Sequence, residues 1–210
     1  MNQDELNKFT LNHIYTKLKI FPADTSKLKI FLYGSRLYNI HKETSDYDIV
    51  IVDFNESETY NSFVSDEIDI HYIGIDKFKE LLFKHDIMAL ECFYQDTSIT
   101  DFSIDKETLR KSISAIVNNS YAKAKKKILL DDEDTYIGIK SFYHAYRILQ
   151  FGIDIAKDNT INYHYQLPFK LPEDLISLEP TKIWECLHSY KQVLNNMASE
   201  FRLLCPIDKS

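Results

Sequence analysis

The sequence predicts an α+β protein: a small mixed β-sheet with flanking helices, followed by an all-helical C-terminal half. Two observations predict it. Short apolar runs bounded by turn residues occur at 28–33, 47–53 and 67–73, all in the first half of the 210-residue chain; runs of that length and composition read as strands. From about residue 105 strand signals almost vanish, and residues 105–129, 134–157 and 180–204 each read as a helix. The expected division is an α/β core over 1–104 and a helical domain over 105–210 packing against it, because a three-stranded sheet exposes a face unless helices cover it.

Taken in order, residues 4–20 read as an opening helix, with Leu6, Phe9, Leu11 and Leu18 among its apolar positions and Pro22 closing it. The run Leu28-Lys29-Ile30-Phe31-Leu32-Tyr33 reads as a first strand that ends at the turn Gly34-Ser35, and a short helix through Arg36–Ile40 follows. A second strand at 47–53 is apolar on both faces beyond its acidic pair, as expected of a strand buried in a mixed sheet. In the third, 67–73, Ile68, Ile70 and Tyr72 face one way, and Glu67, Asp69 and His71 face the other. Segments 75–84 and 86–94 look helical. In the second half, Asp131-Asp132-Glu133-Asp134 reads as a polar loop starting a helix, Tyr163 to Phe169 as an aromatic loop, and Trp184 as core. A helical wheel of 134–157 gives Ile139, Phe142, Ala145, Tyr146, Leu149, Ile153 and Ala156 one broad face. Lys140, His144 and Arg147 fall on the opposite face at i, i+4 and i+7, with Tyr143 beside them.

Composition narrows the function classes. The chain is 44% hydrophobic and 27% charged, ordinary for a globular protein, with a net charge of −7. That charge weighs against broad binding to duplex nucleic acid, which draws on many Lys and Arg contacts to phosphate. No apolar run approaches the ~18–20 residues that span a bilayer, and the polar N-terminus lacks an apolar leader, so a cytoplasmic protein without a membrane partner is expected. Cys92, Cys186 and Cys205 are widely spaced and form no C-x-x-C pattern, and no H-E-x-x-H occurs, so a disulfide framework or zinc site is not expected. A metal, if held, has oxygen ligands of the kind Mg²⁺ or Mn²⁺ prefers.

The candidate chemistry lies between residues 28 and 73. Gly34-Ser35 forms a turn whose backbone N–H groups can approach an anion. Asp46 and Asp48, two apart, point to one face of a strand, and Asp69 on another strand adds a third carboxylate. Asp-x-Asp alone is common and reads equally as an acidic turn, and Asp69 alone reads as an exposed edge residue. Together with the Gly-Ser turn they match what a two-metal phosphoryl or nucleotidyl transfer site needs.

Gly34-Ser35, then Asp46-x-Asp48, then Asp69 resembles the motif of the polymerase-beta-like nucleotidyltransferase superfamily, with eleven positions from Ser35 to Asp46 and twenty-one from Asp48 to Asp69. Within it the chain is most similar to the predicted nucleotidyltransferases of the RlaP type found in bacteria and phages, through Phe78-x-x-Leu81, Leu90-Glu91 and the spacing of Lys140, His144 and Arg147. The turn departs from many relatives by continuing Arg36-Leu37-Tyr38-Asn39 without a second Gly. The resemblance implies transfer of a nucleoside monophosphate from an NTP to an acceptor hydroxyl with Mg²⁺ or Mn²⁺, pyrophosphate leaving. It implies Asp46, Asp48 and Asp69 as catalytic metal ligands, and Gly34 and Ser35 as nucleotide-binding. For Lys140, His144 and Arg147 two readings stand, a solvated polar face or a cationic wall closing over the triphosphate; the resemblance favours the second. The run Lys123 to Lys127 reads as a solvated helix end or, less simply, as a further phosphate contact. The acceptor is an RNA end, a small molecule or a protein hydroxyl. The alternative is a non-catalytic nucleotide-binding or partner-binding, antitoxin-like module with the same fold, against which the complete acidic trio speaks.

Overall fold

In a computed structural model of the protein, which describes residues 3–19, 22, 24–38, 41, 43–65, 67–130, 134–163 and 175–207, the chain divides into two compact units, Met1–Phe102 and Ser103–Ser210. The first holds a mixed sheet with helices and the second is helical, the α+β class expected from the sequence.

The first unit opens with helix α1 (Gln3–His13), which widens into a π-helical turn over Ile14–Leu18. There the Thr16 hydroxyl donates back to the Asn12 carbonyl at 2.7 Å, a bond that loosens a helix locally. Strand β1 (Leu28–Tyr33) runs into a short helix α2 (Gly34–Leu37). It starts two residues earlier than the sequence suggested, and Asn39 and Ile40 lie outside the described residues. Strands β2 (Tyr47–Asp53), β3 (Tyr60–Val64) and β4 (Ile68–Gly74) complete a four-stranded sheet of order β1-β2-β4-β3. β1 is antiparallel to β2, β2 parallel to β4, and β3 antiparallel to β4.

β3 is the strand that sequence reading missed. Its residues are exposed apart from half-buried Phe63, so it lacks the apolar alternation that marks a strand with a core face. It supplies the crossover that parallel β2 and β4 require, running back along the outside of β4. Alternation then sorts the sheet's two faces. Ile30, Ile49, Ile51, Ile68, Ile70 and Tyr72 form one buried cluster with Leu6 of α1 and Ile14, so Asp48 and Asp69, one residue out of phase, belong to the other face. Helices α3 (Ile75–Phe83) and α4 (Ile87–Gln95) follow β4, the second capped by the Asp86 carboxylate, which accepts from the Ala89 N–H.

In the second unit, α5 (Lys106–Leu129) and α6 (Thr135–Asp158) are joined by residues of which Asp131, Asp132 and Glu133 lie outside the described set. Fourteen of the 24 residues of α6 are buried, including Tyr143, Ile148, Phe151 and Ile155. This is wider than the single apolar face expected, and a helix apolar nearly all round is a central one. Gly138 and Gly152 let its neighbours approach: a Cβ at Gly138 would lie 2.6 Å from Ile128 Cγ1, and one at Gly152 would lie 3.0 Å from both Ile113 and Phe201. The helix expected at 180–204 is two, α7 (Pro180–Ser189) and α8 (Lys191–Leu204). The Ser189 hydroxyl bonds the Cys186 carbonyl at 2.6 Å, and the Tyr190 N–H closes on the carbonyls of Leu187 and His188. The aromatic loop lies outside the described residues from 164 onward. No helix among the described residues is long and apolar enough to cross a membrane.

The β4–α3 junction depends on Gly74. Its N–H donates to the Thr59 carbonyl at 2.8 Å, and the following amides of Ile75, Asp76 and Lys77 bond the carbonyls of Glu56 and Ser57. A Cβ there would sit 2.4 Å from the Ser57 carbonyl oxygen. Gly74→Ala is therefore expected to lower unfolding free energy by about 2 kcal/mol, in the usual range for forcing an extra carbon into a packed site, measured by urea denaturation followed by circular dichroism.

Candidate active site

β1 delivers the chain to Gly34 with positive φ (69°), a conformation that favours glycine. A second constraint is steric. A Cβ on Gly34 would fall 2.0 Å from Asp48 Oδ2 and 2.8 Å from its Cγ, so the carboxylate occupies the space a side chain would need. Register places Asp48 between two partners: Tyr33 on β1 and Asp69 on β4. In parallel strands such in-register neighbours share a face about 4.8 Å apart. Asp46, half-buried, comes immediately before β2 and two residues ahead of Asp48. The turn and two of the three acids thus meet at one end of the sheet.

The electrostatics there are unbalanced. Burial first, then the charges of Asp48 and Asp69, push the ionisation of Tyr33 well above its ordinary range, so its hydroxyl remains a proton donor. Among the described residues, Asp69 Oδ1 is buried without a hydrogen-bond partner, and His71 Nε2 is 3.8 Å away. The Tyr60 hydroxyl is hydrogen-bonded to the other ring nitrogen of that histidine at 2.9 Å. A buried acceptor left unmatched is unfavourable, and a cation is the group that would match it. Asp53, at the far end of β2, is a contrast: it accepts from the Asn55 amide at 2.7 Å, from Asn55 Nδ2 at 2.9 Å and from the Tyr72 hydroxyl. The donor set fits a hard, oxygen-preferring cation. Among the described residues, no group of three or more His, Cys, Asp or Glu is already gathered into a cluster that could hold a metal.

Residues 14–113 match the nucleotidyltransferase domain family. The match takes in Gly34, Ser35, Asp46, Asp48 and Asp69, and it supports a place in the polymerase-beta-like superfamily. No curated protein matches the chain significantly.

Two side chains of the matched segment, not assigned a site role from the sequence, brace the turn. Arg36 donates through Nε to the Asp46 carbonyl at 2.9 Å, through Nη2 to the Ser45 carbonyl, and at 3.5 Å to that of Glu43. Its guanidinium lies 3.8 Å from the Tyr47 ring centre, within cation–π range. Arg36 thus pins the loop that carries Asp46. The other is Glu91, buried on α4 and hydrogen-bonded to Tyr38 and Gly34. Neither has a periodic signature; position next to the Gly-Ser turn was the one local hint for Arg36.

Lys140, His144 and Arg147 lie on α6 of the second unit, outside the matched segment. Lys140 is exposed, 5.6 Å from the Tyr136 ring centre. His144 is hydrogen-bonded to the Ser120 hydroxyl of α5 at 3.0 Å. Its burial, with the charges of Arg147 and Lys123, pushes its pKa down to about 4. At neutral pH it therefore offers hydrogen bonding rather than charge, unlike a member of a cationic wall. Lys127, in the basic run of α5, pairs with Asp134. The sign of the His144 effect on stability follows from linkage. Between the ordinary histidine pKa of 6.5 and about 4, the unfolded chain binds a proton that the folded chain refuses, so stability is lost as pH falls through that window. The thermal midpoint of the wild type is expected to drop more between pH 7 and pH 4.5 than that of His144→Asn, as read by scanning calorimetry.

Proposed function

We propose that the protein is a metal-dependent nucleotidyltransferase that moves a nucleoside monophosphate from an NTP to an acceptor hydroxyl. The observation that carries this reading is the in-register pair Asp48 and Asp69 on parallel strands, the first packed on Gly34 of the Gly-Ser turn. Asp46, Asp48 and Asp69 would hold the divalent cations, Mg²⁺ or Mn²⁺, which when bound would supply charge neutralisation for the triphosphate and acidify the acceptor hydroxyl. Asp69 takes the hydroxyl proton as the acceptor oxygen bonds to the α-phosphorus. The bond from the α-phosphorus to the bridging oxygen breaks, and pyrophosphate leaves. Ser35 donates to the β- and γ-phosphates, while Gly34 makes room for Asp48. Rate comes chiefly from positioning and charge neutralisation. The segments Phe78-x-x-Leu81 and Leu90-Glu91 favour the RlaP type within the superfamily. The acceptor is an RNA end, a small hydroxylated molecule or a protein hydroxyl.

Incubating the purified protein with each α-labelled NTP, Mg²⁺ or Mn²⁺, and pooled RNA, protein and small-molecule extracts tests the reading. Label is expected on one acceptor class, with transfer reduced about a thousandfold by Asp48→Asn or Asp69→Asn, as loss of a metal-assisted step worth several kcal/mol requires. Metal-dependent NTP binding without transfer to any acceptor would favour a non-catalytic module, and no NTP binding with either metal would overturn the site.

A further inference from the structure

Helix α2 is four residues long, too short to hold its own geometry, and it starts at a glycine with positive φ. What holds it comes from elsewhere. Glu91 on α4 is 2% exposed, and its carboxyl oxygens bond the residue that starts α2 and the side chain of the residue that follows it. Oε2 accepts from the Gly34 N–H at 3.5 Å, and Oε1 accepts from the hydroxyl of Tyr38, the residue that closes the helix, at 2.7 Å. One helical turn further along α4, Gln95 Nε2 donates to the Leu32 carbonyl at 2.9 Å. Beyond it Asp96 pairs with Lys29 Nζ at 2.6 Å. α4 is thus fastened to β1 and the turn at Lys29, Leu32, Gly34 and Tyr38, and Glu91 is the one buried member of the series.

We propose that Glu91 is a positioning residue for nucleotide binding: its buried carboxyl sets the length and orientation of α2, so that Ser35 faces the triphosphate and Gly34 stays seated on Asp48. The inference rests on the transferase reading above and deepens it. It also divides roles within the turn. The Gly34 N–H is directed at Glu91, so Gly34 serves by its missing Cβ, and donation to phosphate falls to Ser35. A buried carboxyl is a costly choice for a purely structural tether; two donors at one short element give a reason for it.

Glu91→Gln keeps shape and one acceptor oxygen but turns an amide NH₂ toward the Gly34 or Tyr38 donor. The expected result is a rise of about tenfold in NTP KM, the scale of one hydrogen bond to a charged group, with kcat within about threefold. Tyr38→Phe is expected to raise KM less, and the double variant no more than Glu91→Gln alone, because both act through one clamp. Unchanged KM in Glu91→Gln would overturn the proposal. So would kcat, KM and thermal midpoint all worsening together, the mark of general destabilisation. If Glu91→Gln fails to fold, Tyr38→Phe carries the same KM test. If the wild type binds no NTP, the transferase reading fails, and the clamp is judged by hydrogen exchange at the Gly34 amide. Faster exchange in Glu91→Gln (or in Tyr38→Phe) than in wild type then supports it, and equal exchange overturns it.

Discussion

The pairing of β2 with a strand on each side is the constraint from which the candidate site follows. β1 lies antiparallel on one side and β4 parallel on the other, so one residue of β2, Asp48, faces Tyr33 and Asp69 at once. A slip of one residue on either side would turn the partner's side chain to the opposite face. The apolar cluster of Ile30, Ile49, Ile51, Ile68 and Ile70 forbids that slip, because it would carry the isoleucines out of the core and the acids into it. Hydrophobic burial on one face of the sheet therefore fixes the register of the acids on the other.

The two carboxylates of β2 show how differently one strand treats the same chemical group. Asp53 is buried and surrounded by donors from Asn55 and Tyr72. Asp48 and Asp69 sit side by side, and among the described residues one oxygen of Asp69 has no hydrogen-bond partner. Stable folds rarely leave a buried acceptor in that condition, and departures from polar satisfaction concentrate where a ligand completes the set. The contrast gives a physical ground for the site reading that is independent of the motif.

Around the acids, two charged side chains are used to hold backbone. Arg36 gathers three carbonyls of the loop before β2, and Glu91 spans the short helix after β1. Both act on α2 and on the described residues of the loop that leads into β2. Rigidity of this kind suits transfer chemistry, where the protein contributes orientation and charge more than covalent steps.

The sequence by itself determined the α+β class, the order of most elements and the strands at 28–33 and 47–53, because burial on a strand or helix leaves a local periodic trace. It also placed Gly34, Asp48 and Asp69 on elements able to meet. Tertiary structure alone decided the rest. β3 left no periodic signal because an exposed edge strand has almost no core face, and the break at Tyr190 has no Pro or Gly to announce it in the sequence. The lowered pKa of His144 comes first from its burial and then from the charges of Arg147 and Lys123, and a helical wheel of one segment does not display that burial. Glu91 reaches a turn 57 residues away in the chain, and the contact of Asp48 with Gly34 exists only once β1 and β2 pair. Such contacts join residues whose proximity is set by packing of the whole unit, so no stretch of sequence carries them alone.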